Sequence, residues 1–359
     1  EAAAPRLHLF TGSPAIVSPV DTLRAVVEPR WFVTETRYRP AHATVMRQRR
    51  ALLTGAERRL AETYAAGRAE EGDRLSAGLP SARRALVLDA AQDYVLYKKG
   101  FSPDVAPEVR ALERAILVRR AKVPDLPVDL APPYWAAAPE TGHRRKRLQL
   151  GGGARRGGGF AELAWRPGYH DLLDAGRGFV PGSAIEAMSW RLRYDGEERR
   201  LYVRDLRVIE ILSVAPFDPW MKKPSWTVGT GLDTAFEKGR PAPDALVYEG
   251  HAGSGLAFEP APGVIVFGLT QAEGAVGAVL TDGWRVGGSL RGGMTAALGR
   301  RWTALLDGGL SAAAWGDKSP NHRLRAGLNF TPARDAAVRV EGLLRGPHRE
   351  AGLYAVLYH

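Results

Sequence analysis

Residues 246–259 read Leu-Val-Tyr-Glu-Gly-His-Ala-Gly-Ser-Gly-Leu-Ala-Phe-Glu, and the spacing inside this stretch decides the fold. Leu246, Tyr248, Ala252, Leu256 and Phe258 fall on one face of an extended chain, while Glu249, His251, Gly253 and Glu259 fall on the other. Period-two alternation means that one face meets an apolar medium and the other a polar one. Tyr248 and Phe258 share the apolar face ten positions apart, and Trp226 and Phe236 repeat the spacing one hairpin earlier. Ten residues at ~3.3 Å rise, tilted ~40°, cover roughly 25 Å of bilayer normal, the height of the apolar band of an outer-membrane barrel. The first expectation is a strand that crosses a membrane with an aromatic ring at each edge.

The pattern repeats on both sides of this stretch. Trp284, Val286, Leu290, Met294 and Ala296 alternate with Arg285, Ser289, Arg291 and Thr295; Leu324, Ala326, Leu328 and Phe330 alternate with Arg323, Arg325 and Asn329; Val338, Val340 and Leu344 alternate with Arg339, Glu341 and Arg345. Twelve strands are expected, at about 144–152, 158–166, 184–195, 198–213, 224–236, 245–259, 263–280, 284–297, 301–316, 321–332, 335–346 and 349–359. Asp195-Gly196, Asp282-Gly283 and Gly316-Asp317 supply short turns. An even strand number suits a closed antiparallel barrel, because an open edge in lipid leaves backbone groups unpaired. Against this, Gln271 and Glu273 share a face with Ile265, Phe267 and Leu269.

Glycine divides the chain. Seven of its 41 glycines precede residue 151, and the first part reads as helical. Ala43 to Ala66 is rich in Ala, Arg, Leu and Glu and is interrupted at Thr54-Gly55. Ser81 caps a helix to about Tyr97 that buries Ala85, Leu88, Gln92, Val95 and Leu96 and ends at Gly100. Pro107-Glu108 starts another with Val109, Leu112, Ile116 and Leu117 inward, and Pro124 ends it. Asp21 caps Thr22–Val27, and Phe32 to Tyr38 reads as a strand. The expected architecture is α+β and multidomain: a mostly helical domain at 1–123, a Pro-rich linker at 124–142, and an outer-membrane type antiparallel β-barrel of about 12 strands at 143–359.

The 359 residues contain no cysteine, which excludes disulfides, thiolate nucleophiles and Cys-ligated metals. The formal charge of +11 points to anionic partners or to a general arginine bias. The chain has no apolar run of the ~18 residues that a membrane-spanning helix requires, which leaves barrel strands untouched. With no visible signal peptide and no initial Met, a mature form or a fragment is expected.

Several strings resemble a known family. Pro19 to Ala25 (PVDTLRA), Val33 to Arg39 (VTETRYR), Ala82 to Tyr97, Pro139 to His143 (PETGH), Phe160 to Asp174 (FAELAWRPGYHDLLD) and Gly178 to Glu186 (GFVPGSAIE) occur in that order. Together they resemble bacterial proteins with the periplasmic domain named after the Lnb lipoprotein N-acyltransferase (DUF4105), over about residues 16 to 235. The resemblance implies a periplasmic, envelope-associated setting and, upstream of the PVDTLRA string, an Asn-Cys thiol centre. This chain has no Cys to carry that centre, so the resemblance implies a C-terminal portion lacking it.

Tyr169-His170-Asp171 with Asp174 is the most concentrated polar group, and His170, Asp171, Asp174 and His251 are the weak catalytic candidates. The competing reading of the first three is a loop whose Asp side chains cap a turn. His143 reads as a hydrogen-bonding residue at the linker–barrel junction. The expected lumen-facing residues are Asp233, Glu249, His251, Arg285, Arg291, Asp307, Arg323, Arg325, Arg339, Glu341 and Arg345, either neutralising one another or forming an anion-attracting pore. The expected aromatic belt is Trp226, Phe236, Tyr248, Phe258, Trp284, Trp302, Phe330 and Tyr358. Arg47, Arg49, Arg50, Arg58 and Arg59, and the run His143 to Arg147, are basic clusters suited to lipid or lipopolysaccharide head groups; nucleic acid is not expected. Gly151 to Gly159 lacks the Gly-Lys-Ser/Thr ending of a phosphate loop and reads as a flexible hairpin turn. No cofactor and no metal are expected.

The functional expectation is a structural or interaction protein of the bacterial outer membrane, with its helical domain in the periplasm and envelope proteins or lipoproteins as further partners. The alternatives are the C-terminal part of a thiol acyltransferase or hydrolase, and a soluble β-sandwich that binds glycans or lipids.

Overall fold

The computed structural model describes residues 19–27, 41–99, 106–124, 130, 137–237, 240–319 and 321–359. Its contacts divide the chain into two units: Arg37–Pro133 with Asp218–Lys222 form one, and the remainder forms the other. Phe32 to Tyr38, Gly100 and most of the Pro-rich stretch lie outside the described residues.

The larger unit begins with α1 (Pro19–Val27), two residues before the expected cap at Asp21, and a 3-10 turn (Pro139–Thr141). Its strands are β1 (Arg147–Arg155), β2 (Gly158–Arg166), the two-residue β3 (Tyr169–His170), β4 (Ser183–Asp195), β5 (Arg200–Ser213) and β6 (Ser225–Glu237). Then come β7 (Arg240–Ala261), β8 (Val264–Val276), β9 (Trp284–Leu298), β10 (Trp302–Gly316), β11 (Asn321–Ala333), β12 (Ala336–Arg345) and β13 (His348–Tyr358). Each long strand pairs antiparallel with its sequence neighbour; β1 pairs with β13, and β2 skips β3 to pair with β4. Twelve long strands therefore close on themselves, leaving no edge. A sandwich of two packed sheets is excluded, since one sheet holds every strand among the described residues.

Alternation places large apolar side chains outside on every long strand except β2, among them Leu150, Leu201, Leu290, Leu310 and Leu353. Exposed outward aromatics stand near both rims: Trp226, Phe258 and Trp302 at the end where β1 starts and β13 finishes, and Tyr194, Tyr248, Trp284 and Trp315 at the other. The mixed face of β8 now has a reason. Ile265, Phe267 and Leu269 point inward with Gln271 and Glu273, and they join Ala184, Leu212, Val214 and Ala257 in a buried cluster against which Leu172 packs. The glycine run 151–159 is not a flexible turn: all but Arg156-Gly157 lie in β1 and β2.

The helical unit contains α2 (His42–Leu52), α3 (Gly55–Ala65), α4 (Ala69–Ser76), α5 (Ser81–Lys99) and α6 (Pro107–Ala121). The break at Thr54 is a capping box: Thr54 Oγ1 accepts from Glu57 N, and Glu57 returns the bond to Thr54 N at 2.8 Å. Arg83 binds the same carboxylate, and this ion pair together with the capping bonds holds Glu57 down at about 2. The core joins Met46, Leu60, Tyr64, Leu88 and Ile116. Trp220 completes it, stacked on Tyr94 at 4.9 Å and donating Nε1–H to Glu62 at 2.6 Å. Leu117 is exposed, unlike the inward Leu117 that the helical spacing suggests. Two basic residues of α2 are tied down, Arg49 to Asp93 at 2.7 Å and Arg50 to Asp218 at 3.5 Å.

Candidate functional site: a barrel interior with a buried ion cluster

The barrel interior holds a cavity of about 280 Å³ walled by nine arginines and ten carboxylates. Asp233 meets Arg207 at 2.9 Å, and Glu249 bridges Arg285 and Arg345 at 3.4 and 3.5 Å. Arg291 binds Asp307 at 2.7 Å and Glu210 at 3.3 Å; His251 lies 3.5 Å from Glu210, and Arg325 lies 2.8 Å from Glu341. Arg323 stands at the cavity edge, and Arg339 is fully buried. The wall is close to electroneutral, so it does not present the one-signed field of an anion-attracting pore.

The segment between β3 and β4 turns into this interior. Tyr169 enters it with φ of 125°, a conformation that costs a non-glycine residue on the order of 1–3 kcal/mol. Asp171 Oδ1 accepts from Leu173 N and Asp174 N at 2.8 and 2.9 Å, and Asp174 Oδ2 accepts from Asp171 N at 2.9 Å, so the two carboxylates cap each other's turn. Both then reach outward to the wall. Asp174 binds Arg166 of β2 at 2.7 Å, Arg339 of β12 at 2.6 Å and the Tyr358 hydroxyl of β13 at 2.7 Å. Asp171 binds Arg147 of β1 and, at 3.1 Å, Arg339. Leu172 O accepts from Thr295 of β9 at 3.2 Å. Leu173 is fully buried against Gly327 of β11, where a β-carbon would lie 2.5 Å from Leu173 Cδ2. One short segment thus binds β1, β2, β9, β12 and β13 and packs on β11 from inside the barrel.

Four rings flank the ions. His143 stacks on Tyr358, Phe179 and His170 at 4.1, 4.5 and 5.3 Å, and His170 stacks on Phe179 at 4.1 Å. The Arg144 carbonyl can only accept, so the 2.6 Å contact puts the proton on His143 Nδ1. His143 Nε2 then accepts from His170 Nδ1–H at 3.0 Å. Burial pushes both imidazoles down, His170 to about 3, with Asp174 opposing; both are neutral near pH 7. Burial pushes the two carboxyls up, but Arg339, Arg147 and Arg166 outweigh it and hold both well below the usual aspartate range. His143, His170 and Asp174 offer three donor atoms within 4.8 Å of one another. A metal ion there would face the guanidinium of Arg166, already on the Asp174 oxygen, with two more guanidiniums alongside. The arrangement suits a lock of ion pairs better than a metal centre or a general base.

Two expected belt residues are elsewhere. Tyr358 points inward and is buried, because β13 turns Leu353 and Leu357 outward instead. Phe236 lies beside the guanidiniums of Arg204 and Arg345 at 5.1 and 4.9 Å and the His348 ring at 4.8 Å, next to a register break opposite Thr234 and Ala235. Phe330 is half-buried against Trp302 at 4.6 Å. Of the run His143 to Arg147, His143 and Arg147 belong to the interior cluster. Arg147, Arg166 and Arg24 are the residues that sequence reasoning missed. Arg24 of α1 binds the carbonyls of Gly142 and His143 at 2.8 and 2.9 Å and so fixes the approach to β1. The one available signal was that Arg147 and Arg166 are charged at the starts and ends of apolar strands.

Among solved structures, the chain is similar to the KdgM porin in complex with disordered oligogalacturonate: 10% identity, 59% of this chain, 99% of that one and a TM-score of 0.36. It is also similar to the NanC porin, at 10% identity over 59% of this chain and 99% of that one with a TM-score of 0.37. An outer membrane channel from Pseudomonas putida F1 gives 8% identity, 64% and 99% coverage and a TM-score of 0.36. These likenesses are faint, and the closed barrel stands on this chain's own strand pairings. No curated protein matches. The resemblance to the Lnb domain is overturned, since the matching families are others. The strings 160–174 and 178–186 that suggested it build β2, the interior segment and the start of β4 of a barrel. The family described as Domain of unknown function (DUF7842) matches residues 36–131, the helical part. The family described as Domain of unknown function (DUF7840) matches residues 136–353, more than half of the chain, and it is to this family that the chain belongs.

Proposed function

We propose that the chain is an outer-membrane β-barrel with a sealed lumen, a structural or interaction protein that fixes its helical unit at the envelope. The observation that carries this reading is an apolar outer wall on a closed barrel whose interior is lined by charged residues. In water, such a wall would far exceed the few hundred Å² of apolar patch that a monomer tolerates. In hydrocarbon it is the expected surface, and rim aromatics suit the two interfaces. By the convention of such barrels, the end that carries both barrel termini faces the periplasm, the compartment to which this reading assigns the helical unit. The segment of Asp171 and Asp174 argues for a plug and against a diffusion pore.

The experiment is reconstitution. The chain is expected to require detergent, to shift in gel mobility on heating, and to give no steady conductance in a planar bilayer. A monodisperse chain in plain buffer would overturn the membrane reading; a stable open conductance would overturn the sealed lumen.

A further inference from the structure

We propose that the outer wall of the barrel carries a groove that holds one phosphate-bearing lipid, with its acyl part over Gly268, Gly292 and Gly308 and its phosphate at Arg349. This rests on the membrane reading above and adds to it a site and a ligand class.

The strand register builds the groove. Leu256, Gly268, Gly292, Gly308, Leu324, Leu344 and Arg349 pair one to the next across β7 to β13, forming a single row on the outer face. The three adjacent glycines leave a trough about three strand spacings wide, on the order of 14 Å. A ridge of Leu290 and Leu310 bounds it toward one rim, and Val266, Met294 and Leu306 bound it toward the other. The groove is open to the outside and offers about 920 Å³, at the upper end of small-molecule sites.

The charges say what fits. The groove lining includes Arg291, Arg323, Arg349 and His322 and no carboxylate. Arg291 is spent on Asp307 and Glu210 inside the barrel. Arg349 is exposed and is the second residue of β13, while His322 is exposed and is the second residue of β11, so both stand at the rim, at head-group depth. An apolar trough continued over Leu324 and Leu344 to a cation at that depth matches an acyl chain joined to a phosphate. A second copy of this chain fits poorly, because the outward faces of β8 to β13 carry no carboxylate among the described residues to meet Arg349.

The test uses the full chain in non-ionic detergent, titrated with phosphatidylglycerol or with phosphatidylcholine of the same acyl chains and read by native mass spectrometry. One phosphatidylglycerol per chain is expected to be retained, at least about fivefold more tightly than phosphatidylcholine, the worth of one basic side chain at a membrane surface. Arg349→Ala should bring the two lipids within about twofold. Gly268→Leu should abolish retention of both, because a β-carbon at Gly268 meets nothing within 4 Å and the leucine enters the trough without displacing the backbone. Gly292→Leu, whose β-carbon would lie 3.5 Å from the nearest atom, is the second filling variant. Heat-dependent gel mobility verifies that each variant is folded. Equal retention of the two lipids by the wild type, or unchanged retention in both filling variants, overturns the groove. A chain that needs no detergent overturns the membrane reading itself, a result distinct from a detergent-dependent barrel without lipid preference.

Discussion

At the scale of single residues, the molecule turns on two aspartates with almost no exposure. Asp174 answers Arg147, Arg166 and Arg339 at once, and removing one partner from a buried cluster of this kind costs about 3–5 kcal/mol. Asp174→Asn, which keeps the shape and deletes the charge, is therefore expected to lower unfolding stability by about that amount and to admit steady current in a planar bilayer. Thermal unfolding and conductance read the two effects separately. The pH dependence follows from the neighbours. His170 titrates near 6.5 when unfolded and at about 3 when folded, so the unfolded chain binds the proton first. Its contribution is complete above pH 6.5 and declines as pH falls toward 3. Asp171 and Asp174, held well below the ordinary aspartate value by the three arginines, contribute at all pH above that value and lose this only in stronger acid. The melting temperature should therefore already fall between pH 6.5 and 4, and His170→Phe should remove about half of that slope. A slope unchanged in the variant would place the titration elsewhere.

At the scale of elements, period two is legible wherever one face is lipid-like, which is why the long strands of the structure lie within a few residues of those read from sequence. Three kinds of feature are not legible. Phase is ambiguous in β13, where Leu353 and Leu357 alternate with Tyr354 and Tyr358 and both faces look apolar. A register break is silent in sequence, so the even spacing of Trp226 and Phe236 says nothing of the irregularity near Thr234 that separates their surroundings. The interior segment is the third. Asp171 and Arg339 are 168 positions apart, and a bond over that separation leaves no local pattern. Short elements fail similarly: α4 centres on Gly72, a helix-weakening residue, yet a β-carbon there would come within 2.6 Å of the Tyr64 ring. The capping box, by contrast, is legible as Thr54-x-x-Glu57. Thr54→Ala is expected to cost the helical unit about 1 kcal/mol, measured as the shift of its melting curve by circular dichroism. An unshifted curve would mean that the Glu57–Arg83 pair alone fixes the start of α3.

At the scale of the whole molecule, the decisive quantity is the solvent of the outer wall, and depth is what distinguishes hydrocarbon from water. Leu353 is the sixth of the eleven residues of β13 and is 58% exposed; Leu357 is the tenth and is 55% exposed. Facing water, the two would accept arginine equally, since neither contacts enough of the protein to notice. Facing a bilayer, Leu353 lies near the midplane and Leu357 near an interface. An arginine costs about 2–4 kcal/mol at the first depth and about 0–1 kcal/mol at the second. Leu353→Arg and Leu357→Arg are therefore expected to separate by roughly 2–3 kcal/mol in the free energy of folding into phosphatidylcholine vesicles, followed by tryptophan fluorescence in urea. Both variants carry the same added charge on the same strand, so differences in synthesis or net charge cancel between them. Equal costs at the two positions would leave the outer wall without a bilayer to face.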